Sequence, residues 1–215
     1  MIHGMVSDSG SWTSVGPELQ RRGYTVLAPD LRGHGKSERG PYGIDPWVED
    51  LIESLPPSAD VIIGHSLGGA LLARAVERLR PARAVYEDPA WVIESDRHEL
   101  TAMALRWEGT WDEAQVKEDG PRWSDADVAA KLAALKDWDP DTTEGFYNGQ
   151  PIDLVPDRLA VPSLVLLADP TYQVPEEAQQ RLLELGFTLR TVAGAGHSIH
   201  RDDLAGFLAA LEGWI

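Results

Sequence analysis

The sequence predicts an α/β domain: a mostly parallel sheet flanked by helices and interrupted by a helical insertion. Three observations predict it. Strand-like and helix-like segments alternate through residues 1–89 and again through 159–215, the rhythm of βαβ units. A Gly-x-Ser-x-Gly run, Gly64-His65-Ser66-Leu67-Gly68, joins an apolar segment to a helical one. Through residues 90–158 the alternation gives way to amphipathic helical stretches that hold Trp91, Trp107, Trp111, Trp123 and Trp138.

Along the chain, Ser11 to Arg22 predicts a helix, with Ser11 or Thr13 near its start and Gly23 as its stop. Tyr24-Thr25-Val26-Leu27-Ala28 reads as a buried strand ended by Pro29, and Ile44 to Leu55 as a helix closed by Pro56-Pro57. Val61 to Gly64 is the strand before the serine, Gly69 to Leu79 the helix after it, and Ala82 to Tyr86 the next strand. Within the insertion, Asp125 to Lys136 places Val128, Leu132 and Leu135 on one helical face. Pro162 to Ala168 is a strand, Pro175 to Leu185 a helix, Phe187 to Val192 a strand, and Asp202 to Leu211 the last helix.

A chain of 215 residues suits one domain with a sizeable core. Its formal net charge of −16 argues against nucleic acid and anionic membranes as partners. The absence of cysteine excludes disulfides, thiolate metal sites and cysteine nucleophiles. No His/Asp cluster has ligand spacing, so no metal or organic cofactor is implied. No run approaches the roughly 20 apolar residues of a membrane span, and no signal peptide is visible, so a cytoplasmic location is expected.

A strand, a sharp Gly-flanked turn and a helix form the context of a serine nucleophile, which makes Ser66 the first candidate. A serine hydroxyl needs a base to take its proton. His197, in Ala193-Gly194-Ala195-Gly196-His197, follows a strand in a Gly-rich loop and comes after the serine in sequence. His200, His65 and His98 fit less well: one opens the last helix, one flanks the serine and one lies in the insertion. A carboxylate must hold the imidazole. Asp169, at the end of the strand through Ala168, is the first candidate, with Glu87 and Asp88 as rivals at the end of the preceding strand. The oxyanion needs two donors: the N–H of Leu67, directly after the serine, and the N–H of Met5 in the loop His3-Gly4-Met5.

Four motifs in this order resemble the α/β-hydrolase superfamily, and within it the lid-bearing serine esterases and lactonases: His3-Gly4-Met5 with Ser11-Trp12, Asp30-Leu31-Arg32-Gly33-His34-Gly35-Lys36-Ser37, Gly64 to Gly69, and Gly196-His197-Ser198. The resemblance implies a catalytic triad on Ser66 and a lid formed by residues 90–158. It implies a small-molecule ester or lactone with an apolar group as substrate, with Trp91, Trp107 and Trp111 as candidate pocket residues and most tryptophans packing the lid itself. Hydrolysis of a C–C or amide bond by the same residues, and a ligand receptor on the same scaffold, are the alternatives. Two departures stand out. The family's usual acid position falls on Thr171, two residues after Asp169. Only Met1-Ile2 precede the His-Gly motif, where members carry earlier strands, so the N-terminal strands are expected to be missing or reduced.

Overall fold

A computed structural model of the chain describes residues 1–93, 98–147, 151–171 and 173–215. Its elements, in chain order, begin with a 3-10 turn (Ser9–Trp12), α1 (Val15–Arg21), α2 (Ile44–Ser54), β1 (Val61–His65), α3 (Leu67–Leu79) and β2 (Arg83–Glu87). Then come β3 (Val92–Ile93), α4 (His98–Glu108), α5 (Glu113–Asp119), α6 (Asp125–Asp137), α7 (Thr142–Phe146) and β4 (Ile152–Asp153). The chain closes with β5 (Ser163–Leu167), α8 (Glu176–Glu184), β6 (Thr188–Thr191), α9 (Ile199–Asp202) and α10 (Leu204–Ala210).

The sheet is all parallel in the order β1-β2-β5-β6. Because strand side chains alternate, adjacent residues feed two separate cores. Ile62, Tyr86 and Val165 pack with α2, α3 and α8 on one face. Ile63, Val85 and Leu164 pack with α1 and α10 on the other. Apolar runs buried on both faces are the mark of a parallel sheet. The four parallel strands end at the same edge, where Ser66, Asp88 and His197 follow β1, β2 and β6.

The stretch Tyr24 to Ala28 is apolar enough for a strand but forms none, because a strand needs a ladder. Beside β1 the described residues place Ile2, on a single parallel bridge to Gly64. Its N–H donates to the Ile63 carbonyl at 2.8 Å and its carbonyl accepts from His65 N–H at 3.0 Å. Beyond it, the Met1 ammonium reaches the Leu27 carbonyl at 2.6 Å. An apolar groove of about 240 Å³, lined in part by Tyr24, Val26 and Val61, separates the rest of the segment from β1. The single helix expected over Ser11 to Arg22 is a 3-10 turn followed by α1. The last helix is likewise divided at Asp203, whose carboxylate caps Gly206 N–H at 2.9 Å.

The insertion leaves the sheet through β3 and returns through β4, which pair antiparallel. α6 packs on the Ser9–Trp12 turn. Its Lys131 Nζ donates to the Val6 carbonyl at 2.7 Å, and its Asp127 accepts from the Ser14 hydroxyl at 3.0 Å. The insertion is thereby pinned to the loop that follows Ile2. No helix among the described residues is long and apolar enough to cross a membrane.

Candidate active site

Ser66 joins β1 to α3 with φ 52° and ψ −116°. This conformation costs a non-glycine residue about 1–3 kcal/mol and persists only where the surroundings over-determine it. Here they do. Ser66 N–H donates to the Glu87 carbonyl at 3.0 Å, while its own carbonyl accepts from Ala70 at 3.0 Å and Ala90 at 3.1 Å. The turn also needs room. A Cβ on Gly68 would stand 2.4 Å from the Ile2 carbonyl oxygen, which is backbone and cannot swing aside. Gly68→Ala is therefore expected to destabilise the fold by about 3 kcal/mol, read as a drop in the urea midpoint. An unchanged midpoint would show that the turn relaxes around the methyl.

His197 comes from the loop before α9. Its Nδ1 lies 2.7 Å from Asp88 Oδ2, so Nε2 is the nitrogen left to take a proton. Asp88 is 1 % exposed, and its other oxygen accepts from the Thr171 hydroxyl at 2.6 Å and from Ala168 N–H at 3.3 Å. The expectation that Asp169 holds the histidine is not met. Asp169 turns the other way and accepts from Gly194 N–H at 3.0 Å, tying the start of the histidine loop to the end of β5. Glu87 is not the partner either. Strand alternation sends it to His200, whose N–H and Nδ1 lie 2.9 and 2.8 Å from Glu87 Oε1. His200 Nε2 then meets the Ser11 hydroxyl at 3.1 Å. That buried relay, stacked on Trp12 with ring centroids 4.5 Å apart, fixes the helix following His197.

The pKa of His197 is raised above the ordinary imidazole value of 6.5. Desolvation pulls it down, but the Asp88 hydrogen bond and charge, with Glu87 and Glu108 behind it, outweigh that. His65 is pushed well below the ordinary value, above all by burial, and is neutral. Its Nε2–H donates to the His197 carbonyl at 2.9 Å, so the residue beside the serine orients the histidine loop.

Leu67 opens α3, so its N–H belongs to the helix's unpaired first turn. The loop carrying Met5 presses against the elbow: a Cβ on Gly4 would lie 3.1 Å from Ser66 Cβ. Neither Leu67 nor Met5 N–H donates to a backbone carbonyl among the described residues. His3 anchors that loop. Its Nε2 accepts from Leu31 N–H at 2.9 Å and its Nδ1–H donates to the Gly4 carbonyl at 2.8 Å. Burial pushes its pKa down to about 4. Asp30 accepts from Ser9 and Lys36 N–H at 2.8 and 2.9 Å, and Arg32 pairs with Asp50, so this loop is architectural.

Ser66 and His197 line one cavity of about 400 Å³ with Met5, Trp111, Trp123 and Arg201, a size ordinary for small-molecule sites. Of the three tryptophans expected there, Trp111 alone is on its wall. Trp91 is fully buried in the core against Tyr86, with ring centroids 5.0 Å apart. Trp107 is 59 % exposed and meets Trp111 edge to face at 5.3 Å. Trp123, another of the five insertion tryptophans, and Arg201 sit in no motif. Among the described residues no group of His, Cys, Asp or Glu is arranged to hold a metal ion.

Comparisons with known proteins agree with this fold. A family profile described as "Alpha/beta hydrolase family" matches residues 1–210. An uncharacterized protein of Mycobacterium tuberculosis is 40 % identical over 76 residues, which cover 33 % of the chain and 22 % of that protein. The chain thus aligns with about a fifth of the length of that relative. The N-formylmaleamate deformylase of Pseudomonas putida is 26 % identical over 98 % of the chain and 85 % of the enzyme. Among solved structures, a thermophilic esterase from Thermogutta terrifontis superposes with a TM-score of 0.74 at 21 % identity, covering 99 % of this chain and 87 % of that one.

Proposed function

The chain belongs to the alpha/beta hydrolase family, and from that premise we propose that it is a serine hydrolase of carboxylic esters or lactones, working through an acyl-enzyme on Ser66. The observation that carries the reading is the Asp88–His197 pair, 2.7 Å apart, on the cavity lined by a strained Ser66. His197 Nε2 takes the Ser66 proton as the hydroxyl attacks the carbonyl. Asp88 keeps the imidazole in the tautomer that leaves Nε2 free and stabilises the imidazolium. The Leu67 and Met5 N–H groups receive the oxyanion. His197 then protonates the leaving alcohol, and a water activated by the same nitrogen releases the acid.

Residues 90–158 form the lid in this reading, supported by the position of Trp111 and Trp123 on the cavity wall. Trp111→Ala is expected to raise KM for apolar esters about tenfold, from the apolar area it removes from the wall. Unaltered KM values across a series of acyl chain lengths would remove Trp111 from the binding surface.

Cleavage of an amide or formamide C–N bond is the second reading, favoured by the full-length similarity to the P. putida deformylase. One experiment addresses both. A fluorophosphonate should add to Ser66, located by peptide mass spectrometry, and esters, lactones, formamides and amides should be compared by kcat/KM. Labelling elsewhere, or nowhere, would end the serine-hydrolase reading. Faster turnover of formamides than of matched esters would move the assignment to the second.

A further inference from the structure

We propose that the cavity over Ser66 is built for a substrate bearing a carboxylate, and that Arg201 is the residue that selects it. The inference rests on the hydrolase reading of Ser66 and names its substrate class.

Arg201 lies on α9, four positions after His197, and lines the same cavity. It is 6 % exposed, yet its Nε and Nη2 have no hydrogen-bond partner among the described residues. No carboxylate there reaches it within ion-pair distance either. Buried charged donors are nearly always satisfied, so an unpaired pair on a cavity wall calls for an explanation. Nε and Nη2 are the two donors on one edge of the guanidinium, spaced to meet both oxygens of a carboxylate. The protein shows the use of that edge elsewhere: Arg32 Nε and Nη2 take the two oxygens of Asp50 at 2.8 and 2.6 Å.

The acids whose charge Arg201 feels are Asp127, Asp8, Glu87 and Glu108. Each is engaged with another group. Asp127 receives the Ser14 and Ser124 hydroxyls, and Asp8 caps Gly10. Glu87 holds His200, and Glu108 pairs with Lys131. Lys131, the other buried cation on the wall, is thereby neutralised and also bound to the Val6 carbonyl. Arg201 is held in place without engaging Nε or Nη2. Its guanidinium carbon sits 4.7 Å from the Trp123 ring centroid, and Trp123 Nε1–H is fixed on Asp202 Oδ1 at 2.8 Å. The result is a cation on the wall of the reacting serine's cavity whose Nε and Nη2 are buried without a partner among the described residues.

The test compares monomethyl with dimethyl esters of succinic, glutaric and adipic acids, by proton release at a pH where the free carboxylate is ionised. The wild type should favour at least one monoester by about tenfold or more in kcat/KM. In Arg201→Gln that preference should disappear, a fall of about tenfold or more that comes chiefly through a higher KM for the monoester, because two charge-assisted hydrogen bonds are lost. Arg201→Lys, which keeps the charge but not the edge, should fall in between. A readout that needs no variant is competition in the wild type: succinate, glutarate or adipate should inhibit dimethyl ester hydrolysis, and the corresponding diamides should not. Equal turnover of mono- and dimethyl esters by the wild type, without inhibition by the dicarboxylates, overturns the proposal while Ser66 still takes the fluorophosphonate. Failure of that labelling removes the hydrolase reading instead.

Discussion

Replacing Ser66 with alanine should lower turnover of every accepted substrate by about 10³-fold or more, roughly 4 kcal/mol of transition-state stabilisation. The proposed mechanism makes its covalent bond through the Ser66 hydroxyl. Without it, His197 and the N–H groups of Leu67 and Met5 can only assist a direct attack by water, and such sites retain a modest residual rate. The substitution is a clean probe. Alanine keeps the Cβ that serine has at φ 52°, and the Ser66 backbone bonds to Glu87, Ala70 and Ala90 involve no side-chain atom. Thermal stability should therefore hold while fluorophosphonate labelling disappears. Turnover within about tenfold of the wild type would remove Ser66 as the nucleophile.

Asp88→Asn should be nearly as severe, about 10⁴-fold in kcat, since the amide no longer enforces the tautomer that leaves Nε2 free. Asp169→Asn is the matched comparison. Its side chain braces Gly194 and should cost no more than about threefold. The pH profile carries a second signature. The base acts as neutral imidazole, so activity is lost as pH falls through the His197 pKa, which is raised above 6.5. Desolvation lowers that pKa and the Asp88 bond and charge raise it. Taking the carboxylate away leaves desolvation opposed by the more distant Glu87 and Glu108 alone. The acid limb of kcat/KM should then move to lower pH in Asp88→Asn and stay in place in Asp169→Asn. If the limb moves with position 169 instead, the acid has been misplaced.

Sequence reading reached the serine and the histidine because each sits in a short pattern whose backbone geometry is local. The acid was not legible in the same way. Asp88 precedes Pro89 and looks like a turn residue, whereas Asp169 ends a strong apolar strand and stands between the serine and the histidine. What decides between them is that β2 and β5 are neighbours in the sheet, so both aspartates reach the same edge and the loops choose which one turns to His197. The end of β2 shows the finer rule: Glu87, the last strand residue, goes to His200, and Asp88, just past it, goes to His197. Tyr24 to Ala28 failed for the converse reason. Its residues suit a strand, but strand formation depends on a neighbour that composition does not reveal. Which of the five insertion tryptophans reaches the site, and that Arg201 joins it, is not legible in sequence, because the cavity wall is assembled from α9 and the insertion across a wide separation along the chain.

The hydroxyl of Thr171 rests on Asp88 at 2.6 Å, and position 171 is where the resemblance to the superfamily would place the acid. Two neighbouring strands thus hold alternative seats for one charge. A lineage in which position 171 turns acidic before position 88 loses its carboxylate can transfer the role across the sheet while His197 stays still. The doubled intermediate would carry two carboxylates in contact, sharing a proton until one is released. The charge beside His197 therefore has two neighbouring seats in the sheet, whereas the serine depends on the one strained turn at φ 52°.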